Sequence, residues 1–266
     1  MYFIDVQGTL ISDEDKSPIA GSREFIERLN TQNIPYMVIT NNTKKESKEF
    51  HSFLKSLGFN FGFDKYLDPL MLLETRVSKE AVAAYGAPAF LETLIAMGYK
   101  LDFKNPKTVL VATKEDFHPD EYAQMIDFLL AGAELVGMHE TSIYAKNSKR
   151  YPGVGAVLKL LEFATSVPYE VVGKPSIAFY NEGLELLQKQ NFKASFDKIT
   201  MISDDVKGDL GGAKELGMCT VFVTSGKYRT ESEIVPFLKE ELRPDCVYAD
   251  MQEVFQKRLS SQKETI

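Results

Sequence analysis

Short apolar runs alternate with amphipathic stretches along most of this chain, and the alternation predicts strands followed by helices. Tyr2-Phe3-Ile4 reads as a buried strand running into Asp5, with Gly8-Thr9 turning the chain away. A polar loop over residues 12–18 follows, then a helix capped by Ser22 with Phe25, Ile26 and Leu29 at helical spacing. Residues 34–39 read as a second strand ending in Thr40-Asn41-Asn42-Thr43. Lys44 to Leu57 is a polar helix with Phe50, Phe53, Leu54 and Leu57 on one side, stopped by Gly58. Helix, strand, helix, strand, helix, strand and helix are then predicted over 69–77, 80–85, 89–97, 108–112, 119–130, 133–138 and 153–165. The style of the opening returns with strands at 169–172, 199–202, 219–223 and 244–248. They are interleaved with helices at 176–190, 211–216 and 251–259. The tail beyond Ser260 is polar and reads as a frayed end.

This order predicts an α/β fold with a doubly wound parallel sheet. The block at 79–170 carries its own βαβ rhythm and is long enough for a separate domain. The expected organisation is a discontinuous core, 1–78 and 171–266, with an inserted α/β domain between. A chain of 266 residues supports either one large domain or two moderate ones. A formal net charge of −7 makes a nucleic acid or an anionic membrane an unsuitable partner, because both need a positive surface. No leader pattern and no run of apolar residues long enough to span a bilayer is visible, so the expectation is a soluble cytoplasmic protein. Cys219 and Cys246 lack metal-site spacing and read as reduced, mostly buried thiols.

Four strand ends carry polar residues: Asp5; Thr40-Asn41; Lys174; and Asp204-Asp205 with Asp209. In one parallel sheet these ends share an edge, so residues far apart in sequence can converge. Clustered carboxylates ask for a cation, and oxygen-only ligands suit Mg²⁺. Mg²⁺, a lysine and a hydroxyl together ask for a phosphoryl group. An Asp beside that phosphate can act as a nucleophile. Each piece alone also has a plain structural reading: turn or helix caps for the acids and for Thr40-Asn41, and a surface turn for Gly173-Lys174-Pro175. Four such pieces in order make coincidence a poor account.

The order DxxGT, strand-TN, GK, DxxxxD resembles the haloacid dehalogenase superfamily. Its members here are Asp5 to Thr9, Thr40-Asn41-Asn42, Gly173-Lys174-Pro175 and Ser203-Asp204 through Asp209. The insert is similar to a C2-type cap. Ala84-Tyr85-Gly86, Val109-Leu110-Val111 and Tyr151 to Gly155 are similar to the NagD-like, para-nitrophenylphosphatase-like branch. The resemblance implies roles. Asp5 is the nucleophile and a metal ligand, the position-7 carbonyl a second ligand and Asp204 a third. Asp209, with Asp205, holds metal-bound water or orients Lys174. Thr40 and the Asn41 amide bind phosphate oxygens, and Lys174 neutralises Asp5 and phosphate together. It implies a Mg²⁺ cofactor, a small phosphorylated substrate and pairing of two copies.

One position departs from that pattern. Phosphatases of the superfamily carry a second Asp two residues after the nucleophile to move a proton; here it is Gln7. An amide cannot donate and recover a proton, a service worth roughly 10²–10⁴-fold. The expectation is a phosphatase with good phosphate binding and reduced turnover, or else a phosphate-binding regulatory protein of the same fold. Dehalogenases lack the metal acids present here, a transport ATPase needs membrane spans, and a phosphonatase needs a cap lysine. None of Lys79, Lys114, Lys146 and Lys149 stands out for that role. His51, His118 and His139 read as packing or solvated residues. Lys44-Lys45 reads as a solvated helix start and 144–150 as a solvated basic loop.

Overall fold

A computed structural model describes residues 1–146 and 149–259. The polar tail, and the centre of the basic run at 144–150, therefore lie outside the described residues. Among the described residues the main sheet contains β1 (Tyr2–Ile4), β2 (Tyr36–Ile39), β3 (Tyr66–Leu67), β10 (Thr200–Ser203), β11 (Cys219–Val223) and β12 (Cys246–Tyr248). Its order is β12-β11-β10-β1-β2-β3, with every pair parallel. Strands buried on both faces must be apolar throughout, which is why they appear in the sequence as unbroken runs.

Helices cover both faces. On one side α1 (Ser22–Thr31) and α9 (Met251–Arg258) pack together, joining Phe25, Ile26 and Leu29 to Met251 and Val254. On the other, α7 (Ile177–Gln190) and α8 (Asp209–Glu215) supply Phe179, Tyr180, Leu187, Leu210 and Ala213. The chain leaves β1 toward β2 and β3 on one flank and returns to fill the other with β10, β11 and β12. Such a reversal opens a crevice beyond the carboxyl end of β1, where open α/β sheets bind ligands.

A smaller parallel sheet, β4-β5-β6-β9, joins Val82–Tyr85, Thr108–Val111, Glu134–Gly137 and Tyr169–Val171. It carries α4 (Pro88–Ala96), α5 (Pro119–Leu130) and α6 (Val154–Thr165), while α3 (Pro69–Arg76) leads toward it from the main sheet. One apolar cluster runs from Phe3, Met37 and Leu70 to Val82, Leu110 and Val136, so the two sheets share a core.

Several local expectations are corrected. The strand at 169–171 is an edge of the smaller sheet, paired with β6, and not a strand of the main one. Of the basic run at 144–150, residues 144–146 and 149–150 lie on paired antiparallel strands, β7 (Ile143–Lys146) with β8 (Lys149–Pro152), and not in a loop. Stacked cross-strand rings of Tyr144 and Tyr151, 5.4 Å apart, help to hold it. Ser22 does not cap α1: its hydroxyl donates to the Ile19 carbonyl, and Gly21, with φ of 77°, occupies the cap position. The second helix, α2, runs Ser47–Ser56, so Lys44 and Lys45 belong to the loop before it. The two cysteines are free and only half buried, both within reach of Arg258. No helix of the described residues is long and apolar enough to cross a membrane.

Candidate active site

Asp5 sits one residue past β1 because the strand ends there. The backbone then coils back, with the N–H groups of Leu10 and Ile11 donating to the Val6 carbonyl. Gly8, with φ of 76°, makes that coil, in a region where L side chains are strained. Thr40 follows β2, Asp204 and Asp205 follow β10, and Asp209 opens α8. Lys174 comes from elsewhere. It lies three residues past β9, on the chain returning from the smaller sheet. Gly173 beside it has no room for a side chain: a Cβ would fall 2.7 Å from the Met138 carbonyl and 2.8 Å from Asn41 Oδ1.

These pieces meet. Asp5, Gln7, Asn41, Lys174, Asp204 and Asp209 line one cleft of about 590 Å³. Lys174 Nζ donates to Asp5 Oδ1 at 2.5 Å and to Asp209 Oδ2 at 2.6 Å. Ser203 Oγ adds a 2.7 Å bond to the same Asp209 oxygen, which fixes that carboxylate as the orienting partner of Lys174. Thr40, fully buried behind Gln7, receives the Asn42 N–H on its hydroxyl oxygen and donates to Gln7 Oε1 at 2.7 Å. With its oxygen already accepting, the Thr40 hydroxyl hydrogen is directed to Gln7, and the Gln7 amide nitrogen faces away from that bond. Asn41 Oδ1 accepts from the Lys174 main-chain N–H at 3.0 Å, so its side chain holds the Lys174 segment.

Sequence reading missed Lys227, four residues past β11. Its Nζ donates to Asp205 Oδ2 at 2.5 Å and its main-chain N–H to Asp204 Oδ2 at 2.8 Å. The only signal was its place after Thr224-Ser225-Gly226, one more strand end on the same edge. It also missed Asp13 and His139, which line the cleft, as do Lys44 and Lys45. His139 is buried with Nδ1 accepting from the Thr141 N–H, which leaves Nε2 to donate to Thr113 Oγ1 at 3.1 Å. The other two histidines lie elsewhere: His51 against Phe61 and Phe63, His118 at the start of α5.

The electrostatics follow from burial. Two acids share the single ammonium of Lys174, so at Asp5 burial outweighs the lysine and pushes the carboxyl up to about 6. Lys174 is held above its ordinary value despite burial, because Asp209 and Asp5 face it. Burial drives Asp204 well up, with Lys227 opposing. Burial also acts on Asp205, but the Lys227 charge and hydrogen bond overcome it and hold that carboxyl low. Burial and three nearby lysines, with only Asp205 opposing, push the His139 imidazole down to about 3, so it stays neutral.

Asp5 and Asp204 both line the cleft and offer it carboxylate oxygens, the donor chemistry that a hard divalent cation takes. Asp204 is buried and pinned between Gly8 and Gly226, and its carboxylate joins no ion pair among the described residues. No three Asp, Glu, His or Cys side chains form a ligating group among the described residues. The fit is of the kind Mg²⁺ accepts, in which one or two carboxylates leave the remaining positions to water.

Known proteins share this fold. A haloacid dehalogenase-like hydrolase family matches residues 2–100, and a HAD-hydrolase-like one matches residues 171–254. The chain is 30% identical over 254 residues to haloacid dehalogenase-like hydrolase domain-containing protein 2 of Bos taurus, covering 92% of this chain and 93% of that one. It is 29% identical to the phospholysine phosphohistidine inorganic pyrophosphate phosphatase of Mus musculus, covering 88% and 86%. Among solved structures, the p-nitrophenyl phosphatase from Archaeoglobus fulgidus superposes with a TM-score of 0.77 at 20% identity, over 96% and 97% of the two chains. With three of its motifs on one sheet edge, Lys174 brought to them from the smaller sheet, and its likeness running nearly end to end, this chain belongs to the haloacid dehalogenase-like hydrolases.

Proposed function

We propose that this protein is a Mg²⁺-dependent phosphatase that hydrolyses a small phosphorylated metabolite through an aspartyl phosphate on Asp5. The observation that carries the reading is Lys174 Nζ bridging Asp5 and Asp209 in a buried site. Such a lysine opposes the burial that favours a protonated Asp5 and offers a cation to the incoming phosphate. Family membership and the phosphatases named among the relatives support the same class.

Asp5 supplies an oxygen to phosphorus, and Lys174 holds that carboxylate in place. Asn41, which lines the cleft, and Thr40, buried behind it with its hydroxyl turned to Gln7, are assigned to the phosphate oxygens. Asp5, the Gln7 carbonyl and Asp204 would hold Mg²⁺, which would neutralise phosphate charge; Asp209 serves Lys174. The smaller sheet with residues 79–170 is read as a cap of the C2 type. It brings His139, Thr141 and Tyr144 to the cleft, where the non-phosphate part of the substrate would sit. A cytoplasmic location and pairing of two copies complete the reading.

Gln7 favours a second reading, a phosphate-binding regulatory protein. The two are separated by assaying para-nitrophenyl phosphate and a panel of phosphorylated metabolites with Mg²⁺ and with EDTA. Turnover that needs the metal and vanishes in Asp5→Asn establishes the phosphatase. Silence from the natural protein, with activity gained in Gln7→Asp, establishes the binding role instead.

A further inference from the structure

With Gln7 in place of an acid, the proposed reaction needs its proton from another group. The acids of the cleft are nearly all committed. Asp5 and Asp209 face Lys174, Asp205 faces Lys227, and Asp204 accepts the Lys227 N–H. Asp15 is tied to the N–H and hydroxyl of Ser17. Asp13 differs: its carboxylate accepts no hydrogen bond and joins no ion pair among the described residues. Lys16, the nearest lysine in sequence, donates instead to the Asp13 main-chain carbonyl at 2.7 Å.

The loop that carries Asp13 is built rather than loose. Ser12 N–H donates to the Ser17 carbonyl at 2.8 Å, Glu14 N–H to Ser12 Oγ at 3.1 Å, and Ile11 bridges Pro18. Ile11 also bridges Gln7, so the loop is anchored on the very turn that follows Asp5. Half buried, Asp13 lines the same cleft as Asp5 and Gln7, and its charge reaches both Asp5 and Asp204.

We propose that Asp13 is the general acid and base of the reaction, moving the proton that the Gln7 amide cannot. This assignment rests on the phosphatase reading above. An Asp5 oxygen attacks phosphorus and the ester P–O bond breaks. Its electron pair leaves on the alcohol oxygen, which takes the Asp13 proton. Water then attacks phosphorus and gives a proton to the Asp13 carboxylate as the bond to Asp5 breaks. Inorganic phosphate leaves, and both carboxyls regain their starting forms. Burial, with the Asp5 and Glu14 charges, holds the Asp13 carboxyl above the ordinary aspartate value, against Lys16 and Lys227.

The test compares kcat/KM for para-nitrophenyl phosphate, whose leaving group needs no proton, with that for an alkyl phosphate such as glycerol phosphate, whose leaving group does. Asp13→Asn is expected to lower the alkyl value by about 10²-fold or more and the aryl value by less than about 10-fold. The aryl ester should also show a burst of nitrophenolate, because hydrolysis of the aspartyl phosphate slows. Inhibition by inorganic phosphate, unchanged in the variant, reports an intact site. Asp13→Asn with Gln7→Asp should recover alkyl turnover. Equal losses for both esters, or no loss for either, overturn the assignment. If the natural protein turns over neither ester, the phosphatase reading itself fails and the assignment falls with it.

Discussion

The Thr40 hydroxyl donates a 2.7 Å hydrogen bond to Gln7 Oε1, so the amide that replaces an acid is also the acceptor that orients a proposed phosphate ligand. Gln7→Ala removes that acceptor and frees the hydroxyl to rotate. A hydrogen bond of this kind is worth roughly 1 kcal/mol, or about 5-fold. The expected result is a KM raised about 5-fold with kcat less affected, and weaker inhibition by inorganic phosphate. Steady-state kinetics on para-nitrophenyl phosphate checks both.

Lys227 and Asp205 form a buried pair at 2.5 Å, with side-chain exposures of 12% and 5%. Removing one partner of such a pair leaves a buried charge uncompensated and costs roughly 3–5 kcal/mol. Lys227→Met is therefore expected to destabilise the fold by about that amount in urea unfolding. The double variant with Asp205→Asn should regain much of the loss, since the stranded carboxylate is gone. Simple additivity of the two single variants would show that the pair is not coupled.

The main-sheet part of the site was legible because buried parallel strands are apolar runs that stop at their first polar residue. Asp5, Thr40 and Asp204 each stand just past such a run. Lys174 was legible as a residue but not by its route, since Tyr169-Glu170-Val171 has no feature that assigns it to one sheet rather than the other. Only the pairing with β6 does so. Lys227 and Asp13 left no periodic trace, because each lies in coil: Lys227 beyond a turn tied by Ser225 Oγ to the Gly8 carbonyl, and Asp13 in a loop closed by its own hydrogen bonds between Ser12 and Ser17. The hairpin at 143–152 was hidden by its own charges. What holds it against the main domain is Arg150, which pairs with Glu233 and lies 5.3 Å over the Tyr228 ring.

Gly8 and Gly226 hold the Asp204 carboxylate from two sides, and a Cβ on either would fall inside contact distance of Asp204 Oδ2. Gly226→Ala introduces that Cβ at a glycine without a left-handed backbone, so its effect isolates the crowding. The expected outcome is a higher Mg²⁺ concentration for half-maximal activity, with saturating Mg²⁺ restoring much of the rate. Gly8→Ala adds left-handed strain of roughly 1–2 kcal/mol and should also lower the melting temperature. A Mg²⁺ titration of each variant, beside a thermal melt, separates the two effects.

Asp68 caps α3 through the Met71 N–H and also accepts from Ser47 Oγ at 2.9 Å and Tyr66 Oη at 2.6 Å. Burial nonetheless pushes its carboxyl up to about 6, with those hydrogen bonds opposing. The sign is that of a raised acid. The folded state holds the proton more tightly than the unfolded chain, so the contribution is complete below the ordinary value of 3.8 and is lost as pH rises through about 6. Asp68→Asn cannot titrate. The stability of the natural protein relative to Asp68→Asn is therefore expected to grow by on the order of 2 kcal/mol between pH 7.5 and pH 4. Urea unfolding of both proteins at several pH values measures that difference directly, and groups common to the two cancel. A difference that stays flat, or shrinks on acidification, would mean that Asp68 is as easily ionised in the fold as outside it.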